Sequence, residues 1–214
     1  EAMAEGTLSE NVNDRVTRGI YIGDFNPKIR DFATVLKGLR HYNREMSGAR
    51  VGLVILPAQM ERMKRYFHKF DPNYEDLITI KPVMPRQLLQ NELRQYDFGL
   101  VPHVRSGATD YTVPNKLFDY LLAGLPFLVS NNPAIVNMVT KCRFGEFYDP
   151  GVSNSFEEAL YRVASRTKDY KKDLHSKMSE LRQLFCWDST FEQCWTGITN
   201  RLPRIFLTKS RGSD

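Results

Sequence analysis

Short apolar runs alternate along the chain with longer stretches whose hydrophobic residues recur at helical spacing, the pattern of strand–helix units around a parallel sheet. The first run, residues 18–23, is followed by a loop and by 29–42, where Phe32, Val35, Leu36 and Leu39 share one helical face. Residues 51–56 are too continuously apolar for a half-exposed strand, so helices must cover both faces, the next spanning 59–68. A third strand is predicted at 77–80, then a helix at 85–95 opening on Pro85, where a missing N–H costs least. Residues 98–101 form a fourth strand and 102–113 a long polar loop. Residues 127–130 and 145–148 are the fifth and sixth strands, with a helix at 133–140 between them. Ser155 and Glu158 have capping-box spacing for another helix. A charged helix is predicted at 168–185 and a short one, carrying Trp195, at 190–198. This order predicts an α/β, doubly wound, mostly parallel six-stranded sheet flanked by helices, with C-terminal helices. Ligands of such sheets lie at the carboxyl ends of the strands, where the winding reverses.

The densest segment is Val113-Pro-Asn-Lys-Leu-Phe-Asp-Tyr-Leu-Leu-Ala-Gly-Leu-Pro-Phe-Leu-Val-Ser130. Pro114 holds Val113 extended, and Asn115 is placed to cap a helix whose first free N–H groups then point outward beside Lys116. That combination is an anion seat. Lys116, Asp119 and Ala123 share one face of this helix, while Leu117, Tyr120 and Leu121 share another; Gly124 and Pro126 end it. The bland alternative is an exposed ion pair between Lys116 and Asp119 at i,i+3.

Composition narrows the partners. The 214 residues, 42% hydrophobic, can bury a core; 30 Lys+Arg against 25 Asp+Glu leave +5, with the two signs interleaved rather than clustered. Nucleic acid is therefore not implied, whereas an anionic ligand or an acidic membrane surface is compatible. Cys142, Cys186 and Cys194 are odd in number and form no ligand cluster, which argues for a reducing compartment without disulfides or zinc. No apolar run reaches the roughly 20 residues of a membrane-spanning helix. Residues 1–15 read as a cloning remnant or linker rather than a signal peptide, 16–200 as the folded domain, and 201–214 as a basic, frayed tail. In that tail Ile205, Phe206 and Leu207 stand among cations and could touch a membrane.

Tyr96-Asp-Phe-Gly-Leu-Val-Pro-His103, followed by the 114–130 segment, resembles the carboxyl-terminal, donor-binding half of GT-B-fold glycosyltransferases of the group 1 type, over residues 18–165. In that family the corner often reads Pro-Ser-Lys-Leu-Phe-Glu-Tyr, two residues, then Ala-Gly-Lys-Pro-Val. Pro114, Lys116, Leu117, Phe118, Tyr120, Ala123, Gly124 and Pro126 match it. The resemblance implies a Rossmann-like, nucleotide-sugar-binding domain, with a UDP- or GDP-sugar as donor substrate and no cofactor. Asp119 stands where the family's Glu accepts hydrogen bonds from the ribose hydroxyls. A second family Glu, eight residues earlier, is replaced here by Tyr111 beside Asp110. The resemblance assigns the diphosphate to Lys116 and Asn115, with Arg105 and the loop carrying Gly23 and Lys28; Arg30 is also named from that loop, and a solvated helix start explains Lys28 and Arg30 equally well. The base falls to Pro82 and Val83. His103, near the crevice mouth, is a better structural residue than a catalytic one.

No general base stands out and the catalytic residues are unassigned. The resemblance implies that acceptor and base come from an amino-terminal domain outside this chain, so this half alone is inactive. No metal is implied, since cations and a helix terminus can neutralise the leaving diphosphate and no Asp-x-Asp motif is present. The family expectation is polysaccharide biosynthesis in the cytoplasm, with peripheral contact at the inner face of a membrane. Two alternatives share the fold: a degenerate, non-catalytic donor domain kept for protein interaction, and half of a nucleotide-sugar 2-epimerase.

Overall fold

Strands β1 (Thr17–Gly23), β2 (Val51–Pro57), β3 (Ile78–Ile80), β4 (Phe98–Val101), β5 (Phe127–Ser130) and β6 (Gly145–Tyr148) form one sheet. Their order is β3-β2-β1-β4-β5-β6, and every neighbouring pair is parallel. The computed structural model of the protein describes residues 16–46, 51–184 and 196. Parallel neighbours need crossovers, and these are α1 (Phe32–Glu45), α2 (Met60–Phe70), α3 (Arg86–Leu93), α4 (Gly107–Asp110) with α5 (Lys116–Ala123), and α6 (Pro133–Cys142). Helix α7 (Ser153–Leu184) follows. Covered on both faces, the strands bury Ile20, Tyr21, Leu53, Ile55, Leu100, Val101, Phe127, Leu128 and Val129 almost completely, which is why they read as unbroken apolar runs.

The winding reverses between β1 and β4, whose pairing is confined to Gly19 with Phe98 and Ile20 with Gly99. Beyond it, toward the carboxyl ends, the strands are bridged by the fully buried Tyr120 of α5. Its hydroxyl accepts the Ile22 N–H at 3.2 Å and lies 3.2 Å from both the Ile20 and Leu100 carbonyl oxygens. The ring fits because residue 99 is glycine; a Cβ there would come within 2.4 Å of it. Gly124 then stops α5 at φ +74°, with the Gly124 N–H on the Leu121 oxygen and the Leu125 N–H on the Tyr120 oxygen. Tyr120 thus ties the helix carrying the family-like residues to the reversal point.

Several local expectations are corrected. The loop 102–113 contains α4, capped by the Ser106 Oγ, which accepts the Thr109 N–H at 3.2 Å. Helix α1 starts at Phe32 rather than at 29, because 26–30 close a turn on the Asn26 carbonyl and Asp31 takes the cap. Pro85 is the cap of α3, not its first residue. Asn115 occupies the cap position of α5 but is already helical in φ and ψ, so its side chain does not reach back to an amide. Ser155 lies inside α7, which opens two residues earlier, and its Oγ accepts the Asp149 N–H at 2.9 Å instead of forming a capping box. Helix α7 is one continuous helix where separate ones were expected from 155 and over 168–185.

Two compact units divide the chain, Glu1–His175 and Ser176–Asp214. The sheet and its flanking helices belong to the first. In the second, the described part is the end of α7 and residue 196. The expectations for 1–15, for 190–198 apart from residue 196, and for 201–214, the domain end at 200, and Cys186 and Cys194, lie outside the described residues. Cys142 is a buried free thiol whose pKa burial pushes up to about 11. Among the described residues no helix is long and apolar enough to cross a membrane.

Candidate functional site

At the carboxyl ends of β1 and β2 the sheet opens into a cleft of about 560 Å³. Ile22, Gly23 and Leu56 form its floor, and Val113, Pro114, Asn115, Lys116 and Asp119 one wall. Val83, Met84 and Leu89 add an apolar part to the lining. Bonding of α5 begins with the Leu117 N–H on the Pro114 oxygen, so the amides of Asn115 and Lys116 stand at the open end of the helix, on the cleft they line.

Lys116 is the decisive residue. It is 8% exposed, its Nζ has no hydrogen-bond partner among the described residues, and that Nζ sits 3.8 Å from the centre of the Tyr21 ring. Gly23, at φ +122°, makes the room: a Cβ there would lie 3.0 Å from the amine. Below it, the Tyr21 hydroxyl donates to the Asp24 carbonyl at 2.5 Å and receives Arg30 Nε at 3.3 Å, while an Arg30 terminal nitrogen pairs with the Asp24 carboxylate at 2.8 Å. Burial opposes ionisation of Asp24, but the Arg30 hydrogen bond and charge outweigh it and hold the carboxyl below its usual range. Lys116 has no such compensation. Burial, then the Arg30 charge, push its pKa well below an ordinary lysine's, and Asp24 opposes this only in part.

Asp119 follows one turn along α5, buried at 8% exposure, with the exposed Arg86 guanidinium 3.3 Å from one carboxylate oxygen. Burial raises its pKa and Arg86 partly offsets that. One oxygen is thus lightly engaged, on a residue that lines the cleft.

The fold gathers Lys116, Asn115, Gly23, Asp119 and Val83 and leaves the other expected residues outside. Arg105 is bound to Asp110 at 2.8 Å on the surface around α4 and does not line the cleft. Lys28 is exposed on the turn before α1, and Pro82 is exposed and not among the lining residues. Arg30, from the same loop, is its cation that lines the cleft in place of the expected Lys28, along with Asp24. His103 is 3% exposed and outside the lining; its N–H bonds the Ser130 Oγ at 3.0 Å and both ring nitrogens lack partners. Burial, then the Arg30 charge, hold its pKa down at about 3, so it stays neutral. Tyr111 is 85% exposed. Met84, Leu89 and Arg86 were missed; Met84 lies in the loop after β3 that placed Val83, whereas Arg86 and Leu89 lie on α3 and meet the site through its packing on α5.

No protein-family model matches the sequence, and a search of curated proteins gives no significant match. Solved structures do resemble it. A lipopolysaccharide outer core galactosyltransferase, WaaB, in its apo form superposes with a TM-score of 0.64 at 18% identity, over 88% of this chain and 50% of that one. A structure titled trehalose-6-phosphate from E. coli, bound with UDP-2-fluoro glucose, gives 0.60 at 11% identity, over 88% and 45%. The C-terminal domain of a glycosyl transferase group 1 family protein, LpcC, from Francisella tularensis gives 0.57 at 11% identity, over 80% and 87%. The chain spans about half the length of the first two. At these identities the likeness establishes the fold, that of one Rossmann-like domain of the GT-B glycosyltransferases.

Proposed function

We propose that this domain binds the nucleotide-sugar donor of a GT-B glycosyltransferase that moves a sugar to a glycan or lipid-linked acceptor. The observation that carries the reading is the buried, unpartnered Nζ of Lys116, a residue that lines the same cleft as Asp119 at the reversal of the sheet. An unmatched buried cation is unfavourable unless an anion completes it, and a carboxylate one helical turn away suits vicinal hydroxyls, which donate to it. A diphosphate on Lys116, Arg30 and the α5 amides, a ribose on Asp119 and a base against Val83, Met84 and Leu89 would fill the cleft. One of the similar structures carries a UDP-sugar analogue, which supports the same ligand class here. Acceptor and any general base would come from a second, amino-terminal domain, so this chain alone would hold the donor without turning it over. Contact with an acidic membrane surface at the cytoplasmic face belongs to the same proposal.

Titration calorimetry with UDP, GDP and ADP tests it. One of them should bind, and Asp119→Ala should weaken it by roughly 10- to 100-fold, the worth of hydrogen bonds to a charged acceptor. Absence of binding by all three, or an unchanged affinity in the variant, would contradict the proposal. Exposed Tyr111 in place of the family's upstream Glu is the observation on the side of a non-catalytic donor-like module; measurable binding in the wild type separates the two.

A further inference from the structure

We infer that the cleft loads its anion together with a proton, Lys116 standing as a neutral amine in the empty site and becoming an ammonium when a diphosphate enters. This rests on the donor-site reading above. The groups facing the amine from every packed element leave it uncompensated. From β1 and the turn after it come the Tyr21 ring and Asp24, the latter committed to Arg30 at 2.8 Å; before α1 comes Arg30, of like charge. After β4 comes His103, neutral and itself unpartnered, and along α5 comes Asp119, engaged by Arg86. The Tyr21 face offers an ammonium one attractive contact, yet an ammonium carries three donors and none is met. A neutral amine avoids that penalty, and its low pKa agrees with the geometry. A diphosphate entering the cleft that Lys116 lines would supply both acceptors and opposite charge, so the proton is taken from solvent as the ligand seats. Nitrogen gains one N–H bond, and the net charge of ligand plus site rises by one.

Calorimetry of the full chain at pH 8, in two buffers of very different ionisation enthalpy, reads this directly, because at that pH a terminal phosphate has already lost its second proton. The expected result is uptake of about one proton per nucleoside diphosphate, with affinity falling by up to about tenfold per pH unit as pH rises. Heats independent of buffer, with binding intact, overturn the inference and leave the donor site standing. Absence of binding by UDP, GDP and ADP overturns both. Carbon-13 labelling of the lysine Cε supplies a second reading that needs no variant: the Lys116 resonance should sit at the neutral-amine position in the free chain and move to the ammonium position with ligand. An ammonium resonance in the free chain at pH 8 overturns the inference.

Discussion

Lys116 costs the fold stability and serves the ligand, so its replacement separates the two. Lys116→Met keeps the length and removes the unmatched amine; urea denaturation should show the variant more stable by about 1–3 kcal/mol, while diphosphate affinity falls at least tenfold. His103 makes a second prediction, with a definite sign. Its folded pKa of about 3 lies below the ordinary 6.5, so the unfolded chain takes up a proton first as pH falls. The stability is complete above pH 6.5 and is lost between 6.5 and 3, by up to about 1.4 kcal/mol per pH unit. His103→Leu should flatten that slope in melting temperatures measured from pH 7 to pH 4. At this scale the sequence was informative where a short segment carried the site. Lys116 and Asp119 share one helix and Gly23 ends a recognisable strand. Arg105 was not legible, because Asp110 comes within reach only when α4 winds the loop. The choice between Lys28 and Arg30 likewise depended on the turn that closes on the Asn26 carbonyl.

Among the elements, α5 couples site to scaffold. Tyr120 supplies the acceptor for a buried Ile22 N–H where β1 and β4 part. Tyr120→Phe keeps the ring packing and orphans that amide, which should cost about 1–3 kcal/mol in chemical denaturation. A loss near zero would mean that the hydroxyl bridges nothing of consequence. Strands were the most legible elements, since burial on both faces leaves an unmistakable apolar run. Helix starts were less so, because Asp31, Ser155 and Asn115 are all plausible caps by type. Which of them caps depends on backbone dihedrals and distant amides, as with the Gly151 N–H that the Asp31 carboxylate also accepts at 2.7 Å. One-turn α4 is too short for periodicity to reveal.

For the whole molecule, alternating runs were enough to announce a doubly wound sheet, but the order β3-β2-β1-β4-β5-β6 follows from long-range pairing that no local pattern encodes. The position of the reversal, and so of the cleft, could only be expected by analogy of class. A ligand that binds the folded chain alone must stabilise it. At 100 times its dissociation constant a nucleoside diphosphate should add about 2.7 kcal/mol, raising the melting temperature by roughly 5–10 °C, with a smaller rise in Lys116→Met. The central claim is that the cleft beside α5 receives a diphosphate-linked nucleoside, and a crystal structure of the chain with UDP or GDP tests it most directly. The account predicts phosphate oxygens within hydrogen-bond distance of Lys116 Nζ and the ribose hydroxyls on Asp119. A nucleotide seated elsewhere, or Lys116 and Asp119 left untouched beside a bound one, would contradict it.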